Sequence, residues 1–301
     1  MRSEKNIRSF RPELIAIDMD GTLLSPEGRI PGENARVITW AQNQGIRVLI
    51  CTGRSPRDVI LPVREADISC EAYCFNGAAL CDVNGTVLMG TPLSGGAVRI
   101  VEQIAAAHGL FPDAMTEKKD LTTSSPELFT ELYKTGALLP TTGIGYKAVL
   151  KQFQFLSDTA IYETGEKIYK MSLISEKHWN GKIALLEARA QLLETGLFSV
   201  SSSADNNLEI TAVGINKGAA LSSYAAEHQI LLSNIAAIGD SENDLSMMLL
   251  PIRKKIAMGN ANACIKAASD EITTSNAEAG VARAILRMCS DEACVPDQLC
   301  V

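Results

Sequence analysis

The sequence predicts an α/β fold: a doubly wound parallel sheet with a smaller α+β unit inserted into it. Three observations predict this. Short apolar runs alternate with helix-period segments at both ends of the chain, the pattern of βαβ units with helices on both sheet faces. Between those ends the texture changes, with more Thr, Gly and Pro and no steady period. The apolar runs also end in acids, a hydroxyl and a lysine, and the ends of the strands are where an open α/β sheet has its ligand crevice.

Leu14 to Ile17 is the first strand, a short apolar run ending in acids. A polar loop leads to a helix over Gly32 to Gln44, with Val37, Ile38 and Ala41 on one face and Gly45 placed to stop it. Ile46 to Cys51 is β-branched and reads as a strand. Pro56 to Ala66 reads as a helix begun at its proline, with Pro62 a possible kink, and Glu71 to Phe75 as a third strand. The alternation resumes with strands at Leu208–Thr211, Ile235–Ile238 and Lys255–Met258. Helices at Lys217–His228, Glu242–Leu250, Ala261–Ala268 and Gly280–Met288 lie between and after them. Residues 1–91 and 205–301 are therefore expected to form one discontinuous core. Residues 92–204 are expected to form the insert, with helices at Val98–Ala107 and Lys182–Leu193 and strands at Lys167–Ile174 and Leu197–Ser201. Pro112 to Lys151 shows no readable period.

Composition narrows the function classes. Apolar residues make up 46% of the 301 and charged residues 21%, which is ordinary for a protein with a real core. A net charge of −7 argues against non-specific nucleic-acid binding. No run approaches a membrane span and the first residues carry no apolar signal region, so a cytoplasmic protein is expected. Among eight cysteines no zinc-type spacing occurs. Cys51, Cys70, Cys74, Cys81 and Cys264 sit in apolar segments and are expected to be buried thiols. The pattern of Cys289, Cys294 and Cys300 has no physical explanation here.

Four segments carry chemistry. In Ile15 to Leu24, IAIDMDGTLL, a strand ends in Asp18 and Asp20, and Gly21 and Thr22 allow a sharp turn. Two carboxylates at one strand end repel unless a cation compensates them or they share a proton, and magnesium with a phosphate ester would resolve the conflict. In Val48 to Ser55 a strand brings Thr52 and Gly53 to the same edge, a hydroxyl and an exposed N–H suited to a phosphoryl oxygen. Arg54 either reaches substrate or lies on the surface. Lys217 opens a helix, where the dipole disfavours a cation, so something negative should sit beside it. In Ile235 to Met248, Gly239 and Asp240 end a strand and Asn243 and Asp244 start the next helix. Asp240 is suited to complete a magnesium site begun by Asp18. Asp244 either caps the helix or holds Lys217.

Together, DMDGTLL, the strand-end Thr52, Lys217 and GDSEND resemble the haloacid-dehalogenase-type (HAD) phosphatase superfamily. FNGAAL, AMGNA and SNAEAGVA resemble its Cof-type sugar-phosphatase group, which has an α/β cap inserted in a Rossmann-like core. The resemblance covers residues 12–90 and 205–288 and, over the cap, rests on length and placement. It implies a phosphatase acting on small organic phosphates, with magnesium as cofactor and no nucleic-acid or membrane partner. It implies that Asp18 attacks phosphorus and Asp20 transfers the proton. It places Met19, Thr52, Gly53, Lys217 and Asn243 around the phosphate. Asp18, Asp240 and the carbonyl of Asp20 would hold the metal, with Asp244 behind them. A receiver domain, a sugar-phosphate mutase and a non-catalytic binder share parts of this pattern; the acid pair on the first strand, the large insert and the complete set of catalytic side chains favour the hydrolase.

Overall fold

The computed structural model describes residues 10–134, 150–157, 159–175 and 179–289. In chain order its strands are β1 (Leu14–Ile17), β2 (Arg47–Cys51), β3 (Glu71–Cys74), β4 (Ala79–Cys81), β5 (Val87–Gly90), β6 (Phe111–Met115), β7 (Asp120–Thr122) and β8 (Phe153–Phe155). They continue with β9 (Lys170–Ile174), β10 (Phe198–Ser201), β11 (Asn207–Ala212), β12 (Ile235–Gly239), β13 (Lys254–Ala257) and β14 (Glu271–Ile272).

These strands form two sheets. The first has the order β14-β13-β12-β1-β2-β3-β4-β5. It is parallel from β14 to β3, while β4 and β5 add an antiparallel edge that strand-helix alternation does not announce. β1 and β12 are buried along their whole length, as their unbroken apolar runs require of a strand covered on both faces. The chain leaves β1 toward β2 on one side and returns to β12 on the other, so the strand order reverses at β1. A sheet of this kind opens its ligand crevice at that reversal, and Asp18 follows the last residue of β1.

The second sheet has the order β10-β11-β9-β6-β7-β8. The strand at Leu208–Thr211, expected in the core, belongs here, because β11 pairs antiparallel with β9 and β10. The boundary expected at residue 205 therefore comes too early for the cap sheet, which runs to Ala212. Pro112 to Lys151 lacks a readable period because β6 and β7 hold five and three residues; residues 135–149 of that stretch lie outside the described ones. Alternation gives this sheet two unlike faces. Ala114, Leu121, Met171, Leu173, Leu208 and Ile210 pack into an apolar cluster with the helices Gly95–His108 and Trp179–Glu194. Lys170, Ser172, Glu209, Thr211, Asp120 and Thr122 point the other way and are nonetheless buried.

The helices stand close to expectation: Gly32–Asn43, Pro56–Glu65 running through Pro62, Lys217–Glu227 and Gly280–Cys289. Glu242–Leu250 is instead a single tight turn, Glu242–Asp244, followed by the short helix Leu245–Met248. Cys264, expected to be buried, is exposed, while Cys51, Cys70, Cys74 and Cys81 are buried. Among the described residues no helix is long and apolar enough to cross a membrane.

Candidate active site

The site is built where β1, β2 and β12 end. After Asp18 the chain makes one wide turn, in which the Leu23 N–H donates to the Asp18 carbonyl (3.2 Å) and the Leu24 N–H to that of Met19 (2.9 Å). Gly21 holds φ +74° in this turn, and a Cβ there would lie 2.3 Å from Asp240 Oδ2, so only glycine lets the two loops meet. Thr22 Oγ1 then donates to Asp240 Oδ1 at 3.0 Å, tying the first motif to the fourth.

Lys217 is the hub. Asn216 caps its helix by accepting from the Ala219 N–H at 2.8 Å, which fixes where the lysine starts. Its fully buried Nζ donates to Asp18 Oδ1 (2.5 Å), Asp244 Oδ1 (2.6 Å) and Asn243 Oδ1 (3.2 Å). The negative partner expected for this helix-start cation is thus a pair of carboxylates. Of the two jobs left open for it Asp244 does the second, holding Lys217; its other oxygen, Oδ2, makes no side-chain cap to the helix Leu245–Met248 but accepts from the preceding backbone N–H groups of Asp240 (2.8 Å) and Ser241 (3.1 Å).

Asp18, Asp240 and Asp244 place carboxylate oxygens within 4.8 Å of one another. Three carboxylates face one ammonium, leaving negative charge uncompensated. Burial, reinforced by Asp244, holds Asp18 well above the ordinary carboxylate range despite Lys217. Burial and then Asp244 push Asp240 up to about 7. Lys217 shifts the other way: burial opposes its charge, but Asp18 and Asp244 outweigh that and hold it above the usual lysine value. Hard oxygen donors with excess negative charge at the mouth of a crevice fit a divalent cation such as magnesium.

The remaining expected residues are placed as follows. Thr52 follows β2 one strand over, its buried Oγ1 accepting from the Arg54 N–H at 3.2 Å. Gly53 follows it at the same edge. The Met19 side chain belongs to the apolar core, so only its backbone is available to a phosphate. Asp20 turns its side chain away from the other acids. Both its oxygens accept from Arg54, Oδ2 from Nε at 2.8 Å and Oδ1 from Nη2 at 2.6 Å. Asp20 is thus paired with a guanidinium fork, and Arg54 is a buried site residue rather than a surface one.

The sequence reading missed Lys170, Glu209 and Asn76. Glu209 Oε2 accepts from Asn76 Nδ2 (2.9 Å) and Asn243 Nδ2 (3.2 Å), and its Oε1 from Lys170 Nζ (2.8 Å). A charged residue at a polar position of each of two alternating strands, KMSLI and NLEITA, was the available signal.

A family model described as haloacid dehalogenase-like hydrolase matches residues 15–285. The chain belongs to this family. It is 31% identical over 288 residues to the 5-amino-6-(5-phospho-D-ribitylamino)uracil phosphatase YwtE of Bacillus subtilis, covering 92% of this chain and 98% of YwtE. It is 29% identical over 286 residues to phosphatase YwpJ of the same organism, covering 90% and 97%. A solved haloacid dehalogenase-like hydrolase from B. subtilis superposes with a TM-score of 0.76 at 26% identity, covering 91% and 98%. With this family and these full-length relatives, the chain is a hydrolase of the phosphatase type, of the Cof-type group.

Proposed function

We propose that the chain is a magnesium-dependent phosphatase of small phosphorylated metabolites that carries the phosphoryl group transiently on Asp18. The observation that carries this reading is the buried Asp18 carboxylate at the strand reversal, held at 2.5 Å by Lys217 and grouped with Asp240 and Asp244. A carboxylate so fixed is aimed at one position in the crevice, and alignment of this kind can contribute ~7–11 kcal/mol to a barrier.

In the first step an Asp18 oxygen bonds to phosphorus while the ester P–O bond breaks, and Asp20 gives its proton to the departing oxygen. In the second, water attacks the same phosphorus, Asp20 takes a proton back, and the bond to Asp18 breaks to release inorganic phosphate. Asp20 must come off the Arg54 fork to do this, so Arg54 acts as its parking place. Lys217, Thr52, the backbone at Met19 and Gly53, and Asn243 meet the phosphoryl oxygens and orient them. Magnesium, held by Asp18, Asp240 and the Asp20 carbonyl, would supply positive charge to offset that of the phosphoryl group.

The leaving group would lie in a cleft of about 480 Å³ beside Asp240, lined among others by Lys182, Leu185, Arg189, Ser203 and Asn207. That volume suits a small metabolite, and the mixed lining one with both polar and apolar parts. The phosphorylated ribityl compound named for YwtE is one candidate of this class. The test is phosphate release from a panel of phosphorylated sugars, ribityl compounds and coenzymes, with magnesium and with chelator. Release that stops on chelation and returns with magnesium is expected; release indifferent to chelator, or none from any small ester, contradicts the reading.

A further inference from the structure

The polar face of the cap sheet lowers one ion pair onto the catalytic strand ends. Lys170 on β9 and Glu209 on β11 are both buried, and their 2.8 Å contact is only part of what Glu209 does. Its Oε1 also accepts from Ser203 Oγ at 3.2 Å, and its Oε2 from the Asn76 and Asn243 amides of the core. Burial raises the Glu209 pKa, but Lys170, the Asn76 bond and Lys217 together outweigh it and bring the carboxyl down to about 2, so the group is a carboxylate.

Asn243 is thereby held at both ends. Its Oδ1 accepts from Lys217 Nζ (3.2 Å) and Ser241 Oγ (2.9 Å), and its Nδ2 donates to Glu209. Among the described residues the second Nδ2 proton has only a long 3.4 Å contact to Asn76 Oδ1, which leaves it the one a phosphoryl oxygen would take. A chain of contacts runs from the cap to the nucleophile through Lys170, Glu209, Asn243, Lys217 and Asp18. The core makes room for it. A Cβ on Gly53 would lie 3.1 Å from Lys170 Nζ and 3.3 Å from Glu209 Oε1, and Asn76 adopts a left-handed φ of +56° to reach the carboxylate. A buried ion pair is weak evidence of stabilisation, because desolvation offsets its attraction. Its seat on two core asparagines points to another role.

We propose that Glu209 is a positioning residue: seated by Lys170, it fixes the Asn243 amide with its oxygen toward Lys217, and so ties the phosphoryl-binding geometry to a closed cap. This rests on the phosphatase reading above. When the cap lifts, β11 carries Glu209 away, and Asn243 loses the acceptor that sets its orientation.

The test uses p-nitrophenyl phosphate turnover and inhibition by orthovanadate, a probe of the phosphoryl site, in the full chain with magnesium. Three variants are compared with wild type, each checked for folding by circular dichroism. In Glu209→Gln the amide oxygen is drawn to the charged Lys170, so its NH₂ faces the two asparagine donors. The Lys170→Met/Glu209→Met pair removes both charges together and leaves no acceptor. Lys170→Met/Glu209→Gln frees the amide oxygen to turn back to the asparagines.

Losing one oriented donor costs ~10²–10³ in kcat, so misorienting one should cost about tenfold or more. The first two variants are expected to lose at least about tenfold in kcat, to change KM less than about threefold, and to bind vanadate correspondingly weaker. The third is expected to recover most of both losses. A structural pair alone would move the melting temperature and leave these constants alone. If every variant that folds stays within about threefold of an active wild type, the inference is overturned by itself. A wild type that releases no phosphate would overturn the phosphatase reading and this inference with it.

Discussion

Among the described residues two groups of three aspartates stand out, and two members of each are lifted alike while the groups serve different ends. Asp18, Asp240 and Asp244 meet Lys217 at the strand reversal. Asp58 and Asp120 meet Arg57 at the seam between core and cap, where Arg57 Nη2 reaches Asp58 Oδ2 (3.1 Å) and Asp120 Oδ2 (3.0 Å), and Asp113 lies close enough to feel Asp120 and Arg57. In both groups burial is the first cause lifting the carboxylates: Asp240 to about 7, Asp120 to about 6, and Asp18 and Asp113 well above their ordinary range. A perturbed carboxylate therefore does not mark the active site here. What separates the groups is delivery. The first hangs on strand ends at a crevice with glycine loops and a cleft beside it. The second joins a core helix to two cap strands, and leaves Asp113 Oδ1 and Asp120 Oδ1 buried with no hydrogen-bond partner among the described residues.

Removing each group's cation sharpens the contrast. Lys217→Met strands Asp18 and Asp244 in a fully buried position and should cost ~3–5 kcal/mol of unfolding free energy along with activity. Arg57→Met should cost less, about 1–2 kcal/mol, because Arg57 is a quarter exposed and Asp58 keeps its bonds from Ser55 and Gln152. Urea titration of both variants checks the order. Equal losses would mean the two clusters are energetically the same device.

The seam should also be visible in the pH dependence of stability. An acid whose folded pKa lies above its unfolded value contributes stability that is fully present below the unfolded value and lost as pH rises through the folded one. For Asp120 that window runs from 3.8 to about 6. Wild type should therefore lose stability relative to Asp120→Asn across it, by of order 3 kcal/mol at most. The catalytic acids are the same in both proteins and drop out of the comparison. A difference that does not change between pH 4 and 7 would break the account of this cluster.

The same contrast explains how much could be read from the sequence. DMDGT and GDSEND write the catalytic cluster into two short stretches, because a strand end and the turn after it place neighbouring residues together. Asp18, Asp240, Asp244 and Asn243 could all be named from them, Lys217 from its place at the start of a helix, and the core followed from continuous apolar strands such as LIAI and IAAIG. The seam has no such local text. Its acids come from a helix and two strands, one of only three residues, and meet through tertiary packing. Lys170 and Glu209 fell in the same gap. Each is one polar position in a strand that alternates, and only the pairing of β9 with β11 shows that both face the core. Arg54 could be placed only with coordinates, since a residue just past a strand end points either to solvent or to site.

The central claim is that Asp18 is the nucleophile, and it is tested most directly by phosphate release from Asp18→Asn beside wild type, both with magnesium and both shown to be folded. The account predicts a fall of at least about 10³-fold in kcat with the fold intact. A variant within about tenfold of wild type and still dependent on magnesium would contradict it.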